Sequence, residues 1–170
     1  MTIRTVLKMG EGLLYQKALP VEEFNTRDLD QLIGDMVDTM EVLNGAGIAA
    51  PQIGESKRVV IFGVDSNPRY PDAEPVPFTV LINPEIQILS NDTTQDWEGC
   101  LSVPGLRGLV ERAMTIRYSG YNQSGVRFER EVTGFHARVV QHECDHLDGI
   151  LYPMRIQDLR NLVYEDTINQ

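Results

Sequence analysis

Residues 142 to 146 read His-Glu-Cys-Asp-His, so two of the three histidines in this chain of 170 residues stand four positions apart, with a glutamate directly after the first. At 3.6 residues per turn such a pair lies about 40° apart on one helix face, close enough for both imidazoles to reach a single ion. Glu143 is then left to act on a water held by that ion. The apolar period is helical from about Phe135 through this motif, and Gly149 is placed to stop it. A second amphipathic pattern begins after Thr26, with Leu29, Leu32, Ile33, Met36, Met40 and Leu43 at helical spacing, Asp28 and Asp30 in the first turn, and Gly45 set to end the run.

Between the two helices the runs Arg58 to Val64, Thr79 to Leu89, Ala113 to Tyr118 and Val126 to Val132 are rich in β-branched residues and are separated by Pro, Gly, Asn and Asp, which predicts strands. Residues 157 to 168 predict a short last helix, and the Pro-rich stretch from Asn67 to Pro77 an exposed loop. The expected architecture is α+β, with antiparallel or mixed β-sheets packed around a central helix that carries the metal motif. Length and an apolar content of 42% suit one domain spanning residues 1–170.

A net charge of −10 and a pI near 4.7 speak against nucleic acid or an anionic membrane as partner, because phosphate binding is driven by clustered Lys and Arg. The first residues lack the apolar core of a signal peptide, and no stretch approaches the roughly eighteen apolar residues a spanning helix needs. A cytoplasmic protein is expected. In a reducing compartment its two cysteines, Cys100 and Cys144, are expected to serve metal, catalytic or core roles rather than a disulfide.

A catalytic metal site keeps three protein ligands and leaves a position for water, so the histidines need a partner. Cys100 is the choice, because it lies in Glu98-Gly99-Cys100-Leu101-Ser102, where small neighbours let the backbone come close to an ion and a substrate. Cys144 sits two residues from each histidine, about 200° around the helix, and so points into the core. His136 lies off the shared face and is expected at the surface or behind the ligands, while Trp97 is expected in the core. The cluster Gly45-Ala46-Gly47-Ile48-Ala49-Ala50-Pro51-Gln52 combines permissive glycines with one amide. Alone it suggests a helix cap and tight packing; beside a metal site it suggests a substrate-facing wall, with Gln52 able to donate to a developing oxyanion.

Together the three segments resemble the peptide deformylase family, whose signatures are a Gly-x-Gly-x-Ala-Ala-x-Gln segment, a Glu-Gly-Cys-Leu-Ser segment and a Gln-His-Glu-x-x-Asp-His-Leu-like helix, here at residues 45–52, 98–102 and 141–147. The resemblance implies a hydrolase that removes the formyl group from the N-terminal formyl-methionine of newly made polypeptides and releases formate, with a metal-bound water as nucleophile. It implies Cys100, His142 and His146 as metal ligands, Glu143 as general acid and base, and Gln52 with the backbone N–H of Leu101 as oxyanion stabilisers. Fe²⁺ is implied as the native metal, and Zn²⁺, Ni²⁺ or Co²⁺ suit the same ligands. The substrate backbone is expected to pair with the main chain near Ala46 and Gly99, with Gly47 on the same wall. Phe135 and Val139, on or near the face that presents His142, are expected to wall a slot for the methionine side chain. Arg107 occupies a position where family members carry arginine and is a candidate substrate contact. Nascent formyl-methionyl peptides are the implied partners, in a bacterial cytosol. A transient ribosome contact, which members with a long helical C-terminus are thought to use, is disfavoured by the short stretch after Gly149.

Two rival readings carry different expectations. A zinc endopeptidase would use the same five-residue motif with a downstream ligand such as Glu165, but would leave Glu-Gly-Cys-Leu-Ser unexplained. A structural metal would need a fourth protein ligand, and neither Cys144 nor the neutral amide of Gln52 is a convincing one.

Overall fold

The computed structural model describes residues 2–65 and 74–168. Helix α1 spans Arg27–Val42. Thr26 caps it, its hydroxyl accepting the Leu29 N–H at 3.2 Å, and Asp28 and Asp30 complement the exposed N–H groups of the first turn. The expected stop at Gly45 falls one residue earlier. Asn44 takes the left-handed conformation, φ 52°, and donates its N–H to Glu41 O, while Gly45 N–H reaches back to Met40 O at 2.9 Å. Carbonyls of the last turn are satisfied in this way, and the chain is turned directly into β1, Gly47–Ala49.

β1 is the edge of a five-stranded sheet ordered β1-β2-β3-β6-β7, with β2 at Val59–Val64, β3 at Val76–Ile88, β6 at Thr115–Tyr121 and β7 at Arg127–Thr133. Every pairing in it is antiparallel. Successive side chains in a strand point to opposite faces, and β2 uses both. Val60, Phe62 and Val64 pack with Ala137, Val140, Cys144 and Leu147 of α2, which spans Gly134–Leu147, whereas Val59 and Ile61 pack with Leu29, Ile33 and Met36 of α1. The sheet is therefore sandwiched locally between the two helices. A second sheet, β4-β5-β8, comprises Thr93–Cys100, Val103–Ala113 and Leu162–Tyr164 and covers a smaller apolar cluster of Cys100, Val103, Val110 and Tyr152. The protein is α+β, with antiparallel sheets packed around α2.

Several boundaries differ from the sequence-based expectation. The strand expected at Ala113 to Tyr118 straddles two, since β5 ends at Ala113 and β6 starts at Thr115. The β4-β5 hairpin was not expected: Thr93 to Glu98 is almost wholly polar, and Pro104, Gly105 and Gly108 in β5 are residues that weigh against a strand. Residues 157–168 form no continuous helix; two short 3₁₀ helices, Leu159–Asn161 and Glu165–Thr167, flank β8. Pairing of Leu162 with Gly108 and Val163 with Arg107 gives those backbone groups partners that a helix would have supplied internally. Of the loop expected at residues 67–77, positions 67–73 lie outside the described residues, and Val76 and Pro77 begin β3.

Candidate metal centre

α2 presents His142 and His146 on one face, with ring centroids 5.2 Å apart. The end of β4 brings Cys100 to meet them, so that one ligand atom from each of the three lies within 4.8 Å of the others. Cys100 Sγ is 3.4 Å from His146 Nε2. Bonds of about 2.3 Å to sulfur and about 2.05 Å to nitrogen, at a tetrahedral angle, place S and N about 3.6 Å apart, so the observed spacing suits one shared ion. Burial pushes the Cys100 thiol up, but the neighbouring His146 and His142 outweigh it and hold its pKa well below the ordinary value, favouring the thiolate that binds cations.

His142 is oriented from behind. Glu98, at the end of β4, accepts from His142 Nδ1 at 2.9 Å. A carboxylate only accepts, so Nδ1 carries a proton, and it is Nε2 that would offer its lone pair to a cation. Glu98 is 3% exposed and also receives both Nε and Nη2 of Arg112, at 2.8 and 3.0 Å, and Nη1 of Arg138 at 3.0 Å. Burial alone would raise its pKa; the hydrogen bonds from His142 and Arg112 reverse that and keep it well below the usual carboxylate range. Arg112 in turn bonds Asp145 of the motif helix at 2.6 Å. Arg112 and Arg138 were not singled out from the sequence, and Glu98 entered only as the first residue of Glu-Gly-Cys-Leu-Ser, without a role. Their signal was present in the pairing of residues far apart in the chain, which only the fold reveals.

Glu143 follows His142 and turns toward β1. It is 5% exposed, its Oε2 has no hydrogen-bond partner among the described residues, and burial pushes its carboxyl up to about 7. An acceptor left unpaired in a pocket is suited to receive a proton from a water placed there. The space for it is made by Gly47, where an added Cβ would lie 2.5 Å from Glu143 Oε1. Across the pocket, Gln52 Oε1 accepts the Ala49 N–H at 2.8 Å, which fixes the amide so that Nε2 faces Ser102 Oγ at 3.0 Å and Cys100 Sγ at 3.4 Å.

One pocket joins these groups. Its lining includes Ala46, Gly47, Gly99, Leu101, Phe135 and Val139 together with Gln52, Cys100, His142 and Glu143. Arg107 is not among its walls. Instead of facing a substrate as expected, it is 6% exposed in β5 and pairs with Glu165 at 2.9 Å. That places Glu165, the rival third ligand, in an ion pair rather than in the metal cluster. Cys144 is buried in the core behind α2, and both cysteines are free. His136 is half-buried against Phe62 and Tyr118, its Nε2 3.3 Å from the Tyr118 hydroxyl, and Trp97 is half-buried rather than in the core.

The donor set of one thiolate and two imidazoles, the tautomer imposed on His142 and the unpaired Glu143 oxygen fit a divalent cation with an open position for water. Known proteins give the same picture. Residues 3–162 match the family model described as polypeptide deformylase. The chain is 62% identical over 166 residues to peptide deformylase 1 of Nitrosomonas europaea, covering 98% of this chain and 94% of that one, and 58% identical to peptide deformylase 2 of Ralstonia nicotianae over the same shares. Among solved structures, a Met-Ala-Ser-bound class I type b peptide deformylase from Acinetobacter baumannii superposes with a TM-score of 0.88 at 46% identity, covering 91% of this chain and 99% of that one. A peptide deformylase from Thermotoga maritima gives 0.82 at 35%, covering 93% and 100%. Likeness of this extent in sequence and fold, joined to a thiolate and two imidazoles converging beside a buried glutamate, makes the chain a member of the polypeptide deformylase family.

Proposed function

We propose that the protein hydrolyses the formyl group from N-terminal formyl-methionine of nascent peptides, releasing formate, with Cys100, His142 and His146 holding one divalent metal ion. The observation that carries this reading is the convergence of those three donors next to Glu143 in a pocket with apolar walls. A cation in that position supplies Lewis acidity and lowers the pKa of a bound water toward about 7. Fe²⁺ is the proposed native metal, since a thiolate with two imidazoles accepts ferrous iron; Zn²⁺, Ni²⁺ or Co²⁺ suit the same donors.

The protein's own residues perform the rest. Glu143, poised near neutrality, takes a proton from the attacking water as its oxygen bonds to the formyl carbon. The carbonyl oxygen gains charge, and Gln52 Nε2–H and the Leu101 N–H donate to it, Gln52 being already held in the required orientation by Ala49. Glu143 then passes the proton to the departing nitrogen, the C–N bond breaks, and formate and a free N-terminal amine leave. Phe135 and Val139 offer an apolar surface to the methionine side chain, and the main chain of the pocket wall near Ala46 and Gly99 pairs with the peptide in the manner of an added strand. The Met-Ala-Ser ligand of the Acinetobacter baumannii relative is the peptide such a reaction would leave, which supports this placement.

All three apolar clusters adjoin α2 or the strands that pack on it, which supports residues 1–170 acting as one catalytic domain. No helix among the described residues is long and apolar enough to cross a membrane, and the bacterial cytosol, where formylated chains are made, is the proposed location. The test is formate release from formyl-Met-Ala-Ser by protein loaded anaerobically with Fe²⁺, beside Cys100→Ala. Release by the wild type alone supports the reading. A folded, metal-loaded wild type that releases none overturns it.

A further inference from the structure

Arg138 stands on α2 one turn before His142 and is 4% exposed, on the wall of the same pocket. A guanidinium buried so deeply needs acceptors for its donors. Nη1 donates to Glu98 Oε1 at 3.0 Å and to Val110 O at 2.8 Å, and Nη2 to Thr94 O at 2.8 Å. Thr94 belongs to β4 and Val110 to β5, so the guanidinium is anchored to the small sheet on two strands while its Cα rides on the helix that carries both histidines. Glu98 is thereby gripped from two sides. Arg112 holds it in a two-pronged pair, but Arg112 is shared with Asp145, which also binds the half-exposed Arg155. Arg138, equally buried, bonds no other carboxylate among the described residues and ties Glu98 to the backbone of β4 and β5.

The i and i+4 spacing brings Arg138 and His142 to Glu98 from one helix face, the first on Oε1 and the second on Oε2. Resting on the metal-dependent reading above, we propose that Arg138 is a positioning residue for the metal centre: it immobilises Glu98 against β4 and β5, and Glu98 in turn sets the rotation and tautomer of His142, so that Nε2 faces Cys100 and His146. Partners hydrogen-bonded directly to a metal ligand, as Glu98 is, commonly change metal affinity about 10- to 100-fold when removed, and that range sets the scale expected when Glu98 loses its hold.

The experiment titrates metal-stripped protein with Co²⁺ against a competing chelator, following the thiolate-to-cobalt absorption, with circular dichroism to establish folding. Arg138→Met is expected to bind Co²⁺ about 10- to 100-fold more weakly, and at saturating metal to lower kcat for formyl-Met-Ala-Ser with KM little changed. In a Glu98→Gln background the same substitution is expected to add almost nothing, because its path to His142 is already cut. A merely structural arginine would cost as much in both backgrounds, which would overturn the proposal. So would wild-type cobalt affinity in Arg138→Met, or a rise in KM alone, which would make Arg138 a wall of the substrate pocket and leave deformylation standing. Should Arg138→Met not fold, Arg138→Lys decides. Lysine keeps the charge but cannot span three acceptors, so an intermediate loss of cobalt affinity is expected, and wild-type affinity would overturn the role. Absence of cobalt binding by the wild type would instead bring down the metal reading itself, and this proposal with it.

Discussion

Cys100 and Cys144 are both free, both buried and only one helix apart, yet their surroundings drive them in opposite directions. On the core side of α2, Cys144 is packed with Ala137, Val140 and Leu147 against β2 and the neighbouring strands, and burial holds its thiol well above the ordinary value. On the pocket side, Cys100 is as thoroughly desolvated, but two imidazoles and the Gln52 amide surround its sulfur and the thiolate wins. Burial therefore does not decide whether a cysteine is inert. The charged and hydrogen-bonding groups within reach do, because a low dielectric amplifies whichever partner is present.

That contrast can be broken most severely at Cys100. Cys100→Ala is expected to abolish stoichiometric metal binding, measured by elemental analysis, and to reduce formate release to background. Glu143→Gln should separate chemistry from assembly on the same side of the helix: metal content is retained, while kcat falls by about 10²- to 10⁴-fold, the usual worth of a general acid and base. Gly47→Ala is expected to displace the Glu143 carboxylate, since the new methyl would lie 2.7 Å from its Cδ, and to lower kcat by about 10²-fold without loss of metal. On the core side the effects are smaller. Cys144→Ala should leave metal and kcat unchanged and cost about 1 kcal/mol of stability in chemical denaturation, as for loss of one buried heavy atom. Smallest of all is the effect of iodoacetamide on Cys144. In metal-stripped protein at about pH 8 its raised pKa keeps it a thiol, so peptide mass spectrometry should find Cys100 alkylated and Cys144 untouched.

The two sides of α2 also differ in how far they could be read from the chain. Helical spacing separates His142 and His146 from Cys144, and that assignment of faces agrees with the three-dimensional arrangement. α1, the strands β2, β3 and β7, and the first part of β6 were likewise visible, because apolar periodicity and β-branched runs bounded by turn residues mark elements that pack on a core. The small sheet was not. Its β4 strand is polar and its β5 strand carries Pro and Gly, and it is held by pairing with a partner rather than by a pattern of its own. β8 was mistaken for helix for the same reason, and Arg107 for a substrate contact, although it pairs with Glu165, which lies far along the chain.

By itself, then, the sequence determined the metal-binding helix, the inward and outward faces of that helix, and, through the three linked segments, the family. Only the tertiary structure decided that Glu98, Arg112 and Arg138 form a buried ionic cradle behind His142, that Gly47 makes room for Glu143, and that Ala49 aims Gln52. Local periodicity records which side of an element meets the interior. It carries no record of which distant residue waits there, and hydrogen bonds and ion pairs exist only once the fold has brought both partners within about 3 Å.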